Sequence, residues 1–336
     1  MVDAYPNLDD FYRKKYDISR RQKIATAGSC FAQHIARRLR AAHYNVMDKE
    51  PAPKALPRPQ HEAYGYSMYS CRYGNIYTVQ QLLQLAQEAF GERNIDLPVW
   101  QRDGRFFDAL RPGTEPNGFA SHEDVLLHRA QHVKKVRALF LEMDILIFTM
   151  GLTEHWYDSD SDLILPMAPG TIAGCLDESR HVFRNAAFND VIRDFNAFQS
   201  LLRKHRDGRG LRCLLTVSPV PLTATSANRH VLVSTVASKA ILRAAAGQLS
   251  ENQPHIDYFP SFEIVTHPAA RSMNYANNLR SVRPEAVEQV MKVFFSEHRA
   301  ADEPSANSPE PAADDSDDFD MFVKCEEEIL ERFAND

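Results

Sequence analysis

The sequence predicts an α/β fold, a three-layer α/β/α sandwich around a mostly parallel sheet, followed by a flexible acidic linker and a C-terminal helix. Three observations carry that expectation. Asp144–Met150 (DILIFTM) is a continuous apolar run of the kind a parallel sheet buries on both faces, and Leu211–Thr223 (LRCLLTVSPVPLT) is a second. A helical pattern at roughly Asn189–His205 lies between them, so strand, helix and strand alternate and each strand ends in a polar turn. Ile24–Arg40 (IATAGSCFAQHIARRLR) repeats the theme with a short apolar strand, a tight turn at Gly28-Ser29-Cys30, and a helix whose Phe31, Ile35 and Leu39 recur every four residues.

In chain order, residues 1–22 read as an N-terminal arm whose aromatics Tyr5, Phe11, Tyr12 and Tyr16 need a surface to lie on. Tyr44–Asp48 is expected to be a second short strand, and the proline-rich loop Pro51–Pro59 that follows cannot be helical through its middle. Tyr73-Gly74-Asn75 makes a turn. Thr78 then caps a helix that buries Leu82, Leu83, Leu85, Ala86 and Phe90. Asp103-Gly104 reads as a hairpin turn, and Ser121 with Asp124 three residues on opens a helix that runs to about Glu142. A helix at Leu232–Leu249, a short strand around Ile256–Phe259 and a helix at Pro284–His298 complete the domain, taken as residues 23–298. Residues 299–318 are rich in Ala, Asp, Glu, Pro and Ser and cannot form a core. Helical spacing returns over 319–334 through Phe319, Phe322, Val323, Ile329, Leu330 and Phe333, which suits a helix that docks back or meets a protein partner.

The formal net charge is −6 over 336 residues, and much of the acidity lies in the last stretch. That leaves no basic footprint for nucleic acid and no patch for a membrane surface. No apolar stretch is long enough to span a bilayer, and the N-terminus has charges where a secretory signal needs an apolar core, so the protein is expected to be cytoplasmic. The five cysteines are odd in number and include no CxxC, which argues against a disulfide framework, and no metal site is expected. Among them Cys30 stands out. A thiol between a strand and a helix sits at the carboxyl edge of the sheet, where free N–H groups and the helix dipole favour the thiolate. The alternative is a buried packing cysteine between small residues.

The strings GSCFA (Gly28–Ala32), TMGLTEHW (Thr149–Trp156), TVSPVPLTAT (Thr216–Thr225) and DYFPSFEIV (Asp257–Val265) together resemble the GSCFA-domain family, a branch of the SGNH hydrolase-like superfamily. The resemblance runs from about Lys23 to His298. It implies esterase, lipase or carbohydrate O-acyltransferase chemistry, with Cys30 where the superfamily has its serine nucleophile and Ser29 where it has an aspartate. Oxyanion donors would be the Cys30 N–H, the Gly74 N–H and the Thr153 hydroxyl, in a block where Thr153 and Glu154 replace an asparagine and an aspartate. Asn75 and Gly151 would adjoin the substrate.

The superfamily's last block, Asp-x-x-His, departs most. Here it reads Asn278-Leu279-Arg280-Ser281, and neither asparagine nor serine can act as a base near neutral pH. His155, four residues beyond Gly151, is a candidate to supply a proton or stabilise a thiolate, and His267 is another. Either can equally be a packing or surface histidine, and Glu154 a capping residue. Asn278 and Ser281 remain candidates for substrate contact, while Arg280 and Arg283 suit an anionic substrate or simply a solvated face.

Three readings follow. The first is an SGNH-like esterase or O-acyltransferase that works through Cys30 on a carbohydrate or other polar small molecule, with no cofactor beyond acetyl-CoA or another acyl thioester as donor in the transferase case. The second is a degenerate ligand-binding member without turnover. The third places the function in the C-terminal helix.

Overall fold

The structure, a computed structural model, describes residues 10–270 and 272–298; the linker expected at 299–318 and the helix expected at 319–334 lie outside the described residues. Along the chain, β1 (Ile24–Gly28) leads into α1 (Phe31–Ala41), α2 (Val79–Ala89), the hairpin of β2 (Val99–Arg102) and β3 (Arg105–Asp108), and α3 (His122–Glu142). Next come β4 (Ile145–Met150), β5 (Glu154–Asp158), β6 (Leu163–Leu165), β7 (His181–Asn185) and α4 (Phe188–His205). The chain continues with β8 (Arg212–Val217), α5 (Val231–Asn252), β9 (Ile256–Tyr258), α6 (Ser261–Thr266) and α7 (Pro284–Glu297).

The central sheet is parallel throughout and runs in the order β1-β4-β8-β9. Register pairs Ile24 with Ile145 and Met150 with Val217, so all the carboxyl ends reach one rim. Alternate side chains leave opposite faces of a strand, and both sets are apolar here. Ala25, Ala27, Leu146, Phe148, Met150, Cys213 and Leu215 face one core that α2, α3, α4 and α5 cover. Ile24, Ile145, Ile147 and Leu214 face the other, closed by α1, α6 and α7. The expected three-layer α/β/α arrangement is therefore present. Among the described residues no helix is long and apolar enough to cross a membrane.

Two elements differ from expectation. Tyr44–Asp48 does not form a strand; only Val46 bridges Ile24, in parallel, on the outer side of β1. Residues 154–185, for which no strand is expected from the sequence, contain a second sheet, antiparallel in the order β6-β5-β7. Its strands are only three to five residues long, and β5 and β7 carry charged residues, so no alternation long enough to register appears in the sequence. Glu154 and His155 accordingly open β5 rather than sitting in a turn.

Of the arm, residues 10–22 lie on the second core, while Tyr5 lies outside the described residues. Tyr12 is buried among Phe259, Phe294 and their neighbours, and its hydroxyl donates to Asp257 Oδ2 at 2.7 Å and lies 3.0 Å from His298 Nε2. The 103–104 turn is as expected: both residues take positive φ, 51° and 71°, as a two-residue hairpin turn with matching twist requires.

Candidate active site

Open parallel sheets bind ligands at the carboxyl rim, where the connections after two neighbouring strands leave for opposite faces. That point lies between β1 and β4. The chain leaves β1 into α1 on one face, whereas the helix that follows β4 and its small sheet, α4, covers the other. Gly28 makes the close approach possible. Its φ is +135°, and a Cβ there would lie 2.3 Å from Thr149 O, so no other residue fits while Ser29 N donates to that same oxygen at 3.0 Å. Gly151, at the end of β4, is similarly confined, because a Cβ would stand 3.0 Å from Ser29 Cβ and 3.2 Å from Tyr77 O.

Residues 75–77 cross the rim as a strap. Ile76 N donates to Gly28 O at 2.9 Å, while Tyr77 O accepts from Gly151 N at 2.9 Å and from Leu152 N at 3.0 Å. A capping box fixes the far end of the strap: Gln81 N donates to Thr78 Oγ1, and Gln81 Oε1 accepts from both Tyr77 N and Thr78 N. Ser218, just past β8, donates its N–H to Met150 O at 2.8 Å.

These turns meet around a small cleft lined by Ser29, Cys30, Tyr77, Gly151, Leu152, Ser218, Val220 and Lys239. The three polar turns read from the sequence thus meet at one place. Cys30 is only 3% exposed and joins no disulfide. It has helical dihedrals, φ −52° and ψ −32°, immediately before Phe31, and so stands at the N-terminus of α1, among the residues that line the cleft. Ser29 Oγ is buried and has no hydrogen-bond partner among the described residues.

Lys239 has no counterpart in the sequence-based list. It is 3% exposed, and its Nζ donates to Gly151 O at 2.7 Å. Its neighbour Ser238 receives the Thr153 N–H at 2.9 Å, and the Thr153 hydroxyl lies 3.0 Å from Ser238 Oγ. Two consecutive residues of α5 therefore fasten the β4 turn. A lysine in the midst of a helical apolar pattern reads as a solvated residue, and only the tertiary placement of α5 brings it inward.

The remaining candidates are not among the residues that line the cleft. Thr153 is fully buried behind the turn. Glu154 accepts from Thr225 Oγ1 at 2.8 and 2.9 Å. His155 pairs with Arg184 across β5 and β7, and its Nδ1 lies 3.3 Å from Thr153 O. Burial pushes its imidazole below the ordinary value, against the opposing effect of that hydrogen bond. His267 follows α6. Gly74 turns the chain at φ +69°, and Asn75 Oδ1 accepts from the Tyr69 hydroxyl. Asn75 lines a second small pocket with Gln81, Gln84 and Arg129.

Asn278 and Ser281 bond to each other, Nδ2 to Oγ at 2.9 Å, while Asn278 Oδ1 accepts from Arg280 N and Ser281 N. Their segment is tied to the rim by the Tyr275 hydroxyl on Pro219 O at 2.8 Å and by Arg280 Nε at 3.5 Å from Pro221 O. Arg280 is buried, whereas Arg283 is exposed ahead of α7. Among the described residues no group of three or more His, Cys, Asp or Glu side chains is placed to hold a metal ion.

With Gly28-Ser29-Cys30 at the switch point of the sheet, the comparison with known families bears on this same stretch. The model of the GSCFA family matches residues 23–294. The chain belongs to the GSCFA family. A search of curated proteins found no match. The match takes in β1 through most of α7, and so every segment that lines the cleft of this GSCFA domain.

Proposed function

We propose that this GSCFA protein is an SGNH-like esterase or O-acyltransferase that carries an acyl group on Cys30. The observation that supports it is the position of that residue, in the lining of a cleft at the carboxyl rim, at a helix N-terminus, between two glycine-dependent turns. Attack by Cys30 Sγ on an ester or thioester carbonyl would place the developing oxyanion beside the Cys30 and Phe31 N–H groups, since Ala32 N and Gln33 N already donate to Ser29 O and Cys30 O. Gly74 and Thr153, the other donors that the resemblance implies, stand outside the residues that line the cleft, and the Thr153 hydroxyl lies against Ser238. The acceptor is water or a hydroxyl of a carbohydrate or another polar small molecule. An acyl thioester such as acetyl-CoA is the donor in the transferase case. Work in the cytoplasm would keep the thiol reduced.

Hydrolysis of p-nitrophenyl acetate by the wild type and by Cys30→Ala tests this. Loss of all turnover in the variant, with the melting temperature kept within a few degrees, is the expected result; equal rates would remove Cys30 from the chemistry.

A second reading has its own support. Asn278 and Ser281 satisfy each other where the superfamily would have its base and orienting carboxylate. Under that reading the cleft binds an acyl or glycan ligand without turnover, and the ligand raises the melting temperature in the absence of any product.

A further inference from the structure

We propose that Lys239 is the proton partner of Cys30, holding its thiolate and returning a proton to the leaving group, in the role the superfamily gives to histidine. The inference rests on the acyl-transfer reading above. Lys239 comes from α5, far from the other site segments in sequence, yet it lines the same cleft as Cys30. Its ammonium is not swinging freely. The 2.7 Å bond to Gly151 O holds Nζ at the β4 turn, and Gly151 is packed directly against Ser29, the residue before Cys30.

The lining of the cleft therefore brings together the N-terminal end of α1, an eleven-residue helix, and a buried lysine. Both favour a negative charge between them. The unpartnered Ser29 hydroxyl, on a residue 3% exposed, is a further donor available in the same lining.

The steps balance. Starting from thiolate and ammonium, Cys30 Sγ bonds to the acyl carbon as the bond from that carbon to the leaving oxygen or sulfur breaks. The leaving atom takes a proton from Lys239. Water or an acceptor hydroxyl then attacks the acyl-cysteine, the C–S bond breaks to restore the thiolate, and the proton released passes to the Lys239 amine. Serine–lysine pairs do comparable work elsewhere.

Other ionisable groups on the surrounding elements are engaged in their own contacts. Tyr77 of the strap shares the lining. Glu154 is held by Thr225, Arg280 lies on Pro221 O, and Arg243, a turn beyond Lys239, is paired with Glu263. His34, one turn into α1, is pushed down to about 3 by burial and then by Arg37 and Arg38, which keeps it neutral.

The test is the pH dependence of Cys30 alkylation by iodoacetamide, read by peptide mapping, with the exposed Cys175 as internal reference. In the wild type Cys30 should be alkylated at lower pH than the exposed Cys175 reference. Lys239→Met should raise the midpoint by about one pH unit or more, lowering the rate near pH 6.5 roughly tenfold, whereas Lys239→Arg should keep it low. Lys239→Gln retains a donor for Gly151 O and so separates the charge from the fastening of the turn; it should behave like the methionine variant.

A wild-type Cys30 midpoint no lower than that of Cys175, or a low midpoint kept in Lys239→Gln, overturns the proposal. Acylation of Cys30 by a phenyl ester at about pH 9, where an ordinary thiol is ionised, reads the underlying chemistry separately. Acylation there in the glutamine variant leaves Cys30 as nucleophile whatever becomes of Lys239.

Discussion

Asn278 Nδ2 lies 2.9 Å from Ser281 Oγ, and with the Asn278 carbonyl accepting two backbone N–H groups the pair closes a turn upon itself. Where an Asp-x-x-His block would present a base and its orienter, this chain has a self-satisfied loop anchored to the rim by Tyr275 and Arg280. Replacing both residues, Asn278→Asp with Ser281→His, is expected to raise p-nitrophenyl ester hydrolysis by about tenfold or more and to add a pH dependence near neutrality. An unchanged rate would show that this loop does not reach the cleft chemistry.

Gly28 is the backbone requirement of the site. Gly28→Ala places a Cβ 2.3 Å from Thr149 O at a φ of +135°, with no flexible side chain to yield. The expected cost is at least about 2 kcal/mol, read as a lowered urea midpoint, because strained φ and overpacking add. Gly91→Ala is the control, since that glycine also has positive φ but nothing within 4 Å; it should cost less.

A buried charge network braces the helices that hold the strap. Asp108, 2% exposed, lies 2.8 Å from Arg111 and 3.5 Å from Arg129, which also pairs with Glu88. Burial acts to raise the Asp108 carboxyl, but the two guanidiniums outweigh it and hold it below its ordinary value. Asp108→Ala leaves two buried cations short of a partner and should lower stability by roughly 3–5 kcal/mol in urea unfolding. A change under about 1 kcal/mol would mean that the network is solvated in solution.

Stability should fall on mild acidification. Burial, then Arg111, pushes His132 down from 6.5 to about 4, although its bond to Glu50 opposes the shift; burial, then Lys14, does the same to His298. Between pH 6.5 and 4 the unfolded chain binds protons at these sites that the folded chain does not. Their contribution is therefore present above about 6.5 and is lost toward pH 4, at up to about 1.4 kcal/mol per pH unit for each. Urea midpoints at pH 7 and pH 5 measure it, and His298→Gln should shrink the difference. Equal midpoints at the two pH values would contradict it.

How far the sequence could be read follows from the range of the forces involved. Ile145–Met150 and Arg212–Val217 are apolar on both faces, so they declare a buried parallel strand without any knowledge of their neighbours. Thr78 with Gln81, and Asp103-Gly104, are local devices whose partners lie within a few residues, and they are legible for the same reason. Val46 shows where this fails: its segment is apolar enough for a strand, but the chain pairs it only at one residue of β1. Strands β5, β6 and β7 are held by one another and by Gln84, which bonds both polar groups of Ile164, and nothing in residues 154–185 reports those contacts. Lys239 is the plainest case, because its meaning depends on α5 lying over the end of β4.

The most direct measurement is peptide mapping of the protein after brief exposure to an acetyl thioester and acid quench, with Cys30→Ala and the exposed Cys175 as references. The account predicts an acetyl group on Cys30 that forms faster than on Cys175 and disappears on standing in water or an acceptor alcohol. Acetyl found on Cys175 while Cys30 stays unmodified would contradict it.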